Sequence, residues 1–159
     1  MIEAFHSNWT APFLRANPNK NYYIDDFEIL TTIISALKWR ENNGSIKMIT
    51  DDIAADYYKK LGIDTIWDLG IDVSLNKINN DIDSNIFWAA GKIYALKGQK
   101  SPCVMIDTDF IVWDNIENLL LQSEISVIHK EKIISSVYPN KDYFNMNNNY
   151  LFDENFDWS

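Results

Sequence analysis

The chain has 159 residues, 47% of them hydrophobic and 14% aromatic, with only 5 Gly and 4 Pro; this composition suits one globular domain with a real core and excludes a disordered or low-complexity chain. A formal charge of −9 argues against general binding to nucleic acid or anionic membranes, although a local cation could still draw in a phosphate. The one cysteine, Cys103, allows no internal disulfide and no apolar run approaches the roughly 20 residues of a transmembrane segment. The start, Met1-Ile2-Glu3-Ala4-Phe5-His6, has neither a basic flank nor a signal-peptide core, so a cytoplasmic protein is expected.

Ile2 to Phe5 is predicted as a short first strand, followed by a polar, Pro-containing stretch from His6 to Asn21. Asp25 or Asp26 can cap a helix to about Arg40, whose apolar positions Phe27, Leu30, Ile33, Ile34 and Leu37, with the stem of Lys38, recur at helical spacing. Asn42-Asn43-Gly44 stops it, and Ile46 to Thr50 reads as a strand ending in Asp51-Asp52. Either acid can cap a helix through Tyr57, Tyr58 and Leu61, stopped by Gly62. Thr65-Ile66-Trp67 is read as a third strand and Leu69 to Asn80 as irregular. Asp83 or Ser84 then caps a helix carrying Phe87, Trp88, Ile93, Tyr94 and Leu96, with Gly98 at its end and the strand Cys103 to Ile106 after Pro102. Trp113 ends a short extended piece, Asp114 or Asn115 caps a helix through Leu119 to Leu121, and Glu124 to His129 alternates like a strand. Residues 1–137 are expected to form the α/β domain, and 138–159 an Asn- and aromatic-rich tail.

The two successive units, Asp25 to Asp52 and Asp83 to Asp109, both run from capped helix to turn to strand to acid pair. They predict a three-layer α/β sandwich with a mainly parallel sheet, and they put both acid pairs at the carboxyl ends of their strands, where such sheets hold ligands.

Asp107-Thr108-Asp109 carries the most chemistry. Two carboxylates two residues apart after the apolar run Cys103 to Ile106 face one way if the chain is extended, and they suit a hard cation such as Mn2+ or Mg2+ against a nucleoside diphosphate. Two solvated acids at a strand end are the plain alternative. Asp51 is a possible contact to a base or ribose, with helix capping as the favoured alternative. Lys92 is a candidate point charge for a diphosphate, or an ordinary exposed helix lysine. Trp88, one turn earlier, is assigned to the core. His6 and Ser7, placed in the loop after the first strand, are candidate nucleotide contacts. His129 is assigned to packing or the surface. The chain has no phosphate-cradling Gly-x-x-x-x-Gly-Lys loop, no Gly-x-Gly-x-x-Gly turn, no Gly-x-Ser-x-Gly elbow and too few Cys and His for the common zinc sites.

The segment Asn85 to Leu96, followed by Pro102-Cys103-Val104-Met105-Ile106-Asp107-Thr108-Asp109, together with the opening His6-Ser7-Asn8-Trp9, resembles bacterial glycosyltransferases of the A-type fold, the class with an Asp-x-Asp motif. The likeness covers roughly residues 1 to 130. It implies a Rossmann-like, nucleotide-sugar-binding half of that fold, with Mn2+ or Mg2+ held directly by Asp109 and with Asp107 contacting ribose or the metal. Thr108 joins His6, Ser7, Asp51, Lys92 and Asp107 among the substrate contacts, and the sugar passes to an acceptor glycan or other hydroxyl compound. Two departures stand out. Gln99-Lys100-Ser101-Pro102 replaces a Gly-Gly turn, and the chain stops at Ser159, where the family normally continues to an acceptor site and a base. An amino-terminal fragment is therefore one expectation, and no catalytic base is named. Two other classes compete. One is a haloacid-dehalogenase-like phosphatase with Asp107 as nucleophile and Asp109 as acid/base. The other is a non-catalytic interaction domain, with the tail from Tyr138 to Trp158 packing on a further domain or on a second copy in a homo-oligomer.

Overall fold

A computed structural model describes residues 2–128. Met1–Leu121 form one compact unit and Gln122–Ser159 a second, of which only the first few residues are described. The first unit is a three-layer, Rossmann-like α/β fold. Its sheet contains β1 (Glu3–Asn8), β2 (Ile46–Thr50), β3 (Ile71–Asp72) and β4 (Cys103–Met105), all parallel, in the order β3-β2-β1-β4. Ala4 stands opposite Ile46 and Val104, and Met48 opposite Ile71.

Alternation along β1 and β2 divides the core. Ala4, Ile46 and Met48 face a layer that holds Ala36 and Trp39 of α2 (Asp26–Asn42), and Ala54 and Tyr58 of α3 (Asp52–Leu61). Phe5 and Ile49 face the other way, against Leu75, Ile78 and Ala95 of α4 (Ala90–Lys97). The ends of α3 follow directly from the sequence. Asp51 accepts from the Ala54 amide at its start, and Gly62 closes it at φ 71°, a left-handed conformation that a β-carbon disfavours.

Several sequence expectations are corrected. The first strand runs on to Asn8, so His6 and Ser7 lie within it, and the stretch after it contains a short helix, α1 (Ala11–Ala16), with Pro12 in its first turn. Thr65-Ile66-Trp67 is no strand: Asp64–Ile66 form a 3-10 turn and the third strand comes later, inside the stretch read as irregular. The helix read from Asp83 starts only at Ala90. Asp83 instead closes a turn, its carboxylate accepting from the Asn85 amide at 2.9 Å. Helix α5 is a single turn, Glu117–Leu120. Residues 124–128 contain no strand; His129 and the stretch 138–159 lie outside the described residues.

The span of α2 matches its pattern, but its face does not. Phe27, Leu30, Ile34 and Leu37 are exposed, while Thr32, Ser35, Ala36 and Trp39 are buried. The small inward residues let the helix approach the sheet, and Ser35 is needed there as a hydrogen-bond partner.

Candidate functional site

In a parallel sheet each βα unit starts its helix at the carboxyl edge, so the loops after β1, β2 and β4 and the first turns of α2, α3 and α4 share one rim. Strand order reverses between β1 and β4, the place where open α/β sheets leave a crevice. A cleft of about 300 Å³ lies there. Ser7, Asn8 and Trp9 form its floor, Phe13, Tyr22, Tyr23 and Glu28 one wall, and Trp88, Gly91, Lys92 and Thr108 the other.

Gly91 makes that second wall possible. A β-carbon there would stand 2.5 Å from the Trp9 β-carbon, so only glycine lets α4 come this close to the loop after β1. The approach brings Lys92 Nζ to 2.7 Å from Asp107 Oδ1 and 5.9 Å from the centre of the Trp88 ring. Trp88 is exposed beside the cleft and precedes the helix, which corrects its assignment to the core.

Asp107 and Asp109 follow β4 at the same edge, but the chain between them is not extended. The Phe110 amide donates to the Asp107 carbonyl at 2.9 Å, closing a tight turn over Thr108 and Asp109. The argument that residues i and i+2 share a face therefore does not apply. The two acids also have different neighbours: Asp107 pairs with Lys92 from α4, while Asp109 raises the pKa of Glu28 on α2. For Glu28 burial is the larger cause, and Asp25 adds to it.

Among the described residues no three His, Cys, Asp or Glu side chains are arranged to hold a metal by themselves. A hard cation such as Mn2+ or Mg2+ would find at most one or two carboxylates here and would need substrate phosphates and water to complete its shell. Asp107 and Asp109 would be those carboxylates.

His6 is fully buried and is not a ligand contact; this corrects its sequence assignment. The Trp67 indole N–H donates to His6 Nδ1 at 3.2 Å, so the proton sits on Nε2, which donates to Ser35 Oγ at 3.0 Å. The Ser35 hydroxyl donates in turn to the Phe110 carbonyl at 2.5 Å. This chain ties the Asp turn to the core and requires a neutral imidazole. Burial lowers the His6 pKa to about 4, against an opposing pull from Asp107.

Asp51 is likewise occupied. Its Oδ2 accepts from the Thr10 amide and hydroxyl, both at 2.8 Å, and its Oδ1 from the Ala54 amide at 3.1 Å. The capping alternative is the correct one, extended by a bond across the rim. Ser7 does line the cleft, and its Oγ is buried without a hydrogen-bond partner.

Sequence reasoning missed Glu28 and the aromatic wall of Phe13, Tyr22 and Tyr23. Glu28 had one signal: the first turn of a helix that follows a parallel strand opens at the ligand edge. Asn8 donates to the Tyr22 hydroxyl at 2.6 Å and the Tyr58 hydroxyl at 2.5 Å. Burial drives the pKa of both phenols up, so both stay protonated and each can still donate.

Fold and site together define a parallel α/β protein with a cleft at its strand-order reversal. The chain belongs to a family of unknown function, DUF6734, which it matches over residues 2–154. No curated protein and no solved structure matches it. Among the described residues no helix is long and apolar enough to cross a membrane.

Proposed function

We propose that the cleft binds a nucleoside-diphosphate sugar with Mn2+ or Mg2+, and that the protein is a cytoplasmic glycosyltransferase, or the donor-binding part of one, passing the sugar to an acceptor hydroxyl. One observation carries this reading: the Asp107-Thr108-Asp109 turn and Lys92 meet at the carboxyl edge of a parallel sheet, beside an aromatic cleft at the point of strand reversal. Each part has a role. The rings of Trp9, Tyr22, Tyr23 and Trp88 offer faces for a base or sugar. The Ser7 hydroxyl offers an unspent hydrogen bond. Lys92 supplies a positive charge for the diphosphate, with Asp107 as its counter-ion until substrate arrives. Asp109 would hold the metal directly and Asp107 would be the second carboxylate. The ion, when bound, neutralises charge building on the departing diphosphate. His6 and Asp51 act through the backbone they hold.

The Lys92–Asp107 pair also favours a second reading, a phosphatase. There an Asp107 oxygen attacks phosphorus, the ester oxygen leaves with a proton from Asp109, and Lys92 balances the phosphoryl charge.

A thermal-shift panel of UDP-, GDP- and CDP-sugars with and without Mn2+ tests the proposal. A ligand at about 100 times its Kd stabilises the folded state by about 2.7 kcal/mol. The expected result is a rise in Tm that needs both nucleotide and metal and is lost in Asp109→Ala. A folded sample that answers to no nucleotide overturns the donor site. A covalent aspartyl phosphate at Asp107 selects the phosphatase instead.

A further inference from the structure

The outer face of α2 carries an apolar seam that the cleft does not use. Phe27, Leu30, Ile34 and Leu37 lie along it, Phe27 78% and Leu30 58% exposed. Their spacing of three, four and three residues keeps them on one stripe of the helix. Trp113, 61% exposed, extends the patch at the carboxyl end of the helix. It is fixed there by Lys38 Nζ 5.7 Å from its ring centre and by the Asn42 amide, which donates to its carbonyl at 2.8 Å. Large side chains of this kind gain roughly 1.5–3 kcal/mol each when fully buried, and contiguous exposed patches mark interaction surfaces.

We propose that this seam is the contact between two copies of the chain, with the α2 helices packed antiparallel across a twofold axis. A twofold interface must be complementary to itself, and the three-four-three spacing reads the same in both directions. Phe27 then meets Leu37 of the partner subunit, and Leu30 meets Ile34 of the partner subunit. The charges choose the antiparallel sense. Helix α2 begins with Asp25 and Asp26 and carries Lys38, Arg40 and Glu41 near its end, where Lys38 already pairs with Glu41 at 2.6 Å, so antiparallel copies bring Asp26 to Arg40 and parallel copies bring each of them to its own like. Asp26 and Arg40 lie on one flank, two heptads apart, which sets Asp26 against Arg40 of the partner subunit at both ends. Arg40 is already braced for this, its guanidinium donating to the Ile66 carbonyl at 3.0 Å and lying 3.6 Å from Asp68. The acid-rich start of the helix and the charge of −9 disfavour an anionic membrane as the occupant.

Sedimentation equilibrium of the full chain, from about 1 to about 200 µM, tests this. The expected mass rises with concentration from 18.5 kDa towards twice that value. Leu30→Asp and, separately, Ile34→Asp each enter the interface twice and should weaken the dimer at least about tenfold, with circular dichroism unchanged. Leu30→Ser replaces either variant that loses its fold, and Asp26→Arg should weaken the dimer without touching the seam. A monomer throughout the range overturns the proposal, as does a dimer that Leu30→Asp and Leu30→Ser leave intact. Nucleotide binding plays no part in these readouts.

Discussion

Acidification should unfasten the Asp turn through His6. The folded protein keeps this imidazole neutral, with a pKa of about 4 against an ordinary 6.5, chiefly because it is buried. Between those values the unfolded chain binds up to one more proton than the folded one. Stability from this group is therefore complete above about pH 6.5 and is lost as pH falls towards 4. At about 1.4 kcal/mol per pH unit the window is worth about 3 kcal/mol. The structural cause is specific: a proton on Nδ1 removes the acceptor for the Trp67 indole and leaves a charge beside Ser35 with no buried carboxylate bonded to it. Urea unfolding of wild type and His6→Gln from pH 4.5 to 7.5 measures it. The glutamine variant should be less stable at pH 7.5, yet its stability should fall less on acidification, the two curves converging by most of that energy. Carboxylates titrating in the same range act on both proteins and cancel. Parallel pH profiles would refute the reasoning.

Three further outcomes follow. Gly91→Ala should cost about 1–3 kcal/mol, the usual penalty for overpacking, measured by chemical denaturation; because the collision is with the Trp9 β-carbon, Trp9→Gly should relieve it and Trp9→Ala should not. Asp51→Ala should cost about 2 kcal/mol or more, since it removes a helix cap and strands two Thr10 donors, with a matching loss of Tm. Burial and the charges of Asp109 and Asp25 raise the Glu28 pKa, so its contribution is present below the unfolded pKa and lost as pH rises through the folded one; Glu28→Gln should raise Tm at pH 7 relative to wild type, and the gain should vanish near pH 4.

The layer architecture was legible because β1, β2, β4, α2 and α3 are local periodic segments with clear stops, such as Gly62. The faces were harder. Helix α2 has apolar residues on two stripes, and hydropathy chose the longer one; the sheet took the stripe with Ser35 and Trp39, since Ser35 satisfies a buried histidine 29 residues away in sequence. Thr65-Ile66-Trp67 has strand composition, but Trp67 is spent filling the core beneath His6. The Asp turn was found at the right edge, yet its backbone was misjudged because a two-residue spacing cannot reveal the Phe110–Asp107 hydrogen bond. The ion pair of Lys92 with Asp107 was not foreseen, and Gly91, whose neighbour is Trp9, gave no sign of its role without the third dimension.

Asp51 gives the carboxyl rim of the sheet an uneven mechanical character. On its side, three short bonds from Thr10 and Ala54 lock two loops into a stiff hinge post. On the other side, Lys92 and Asp107 share one ion pair between partly exposed groups, while α4 stays packed on Trp9 and the Asp turn stays bonded through Ser35. Added salt competes for this exposed pair and leaves the buried Asp51 bonds untouched, so ionic strength acts on one edge of the rim and spares the other.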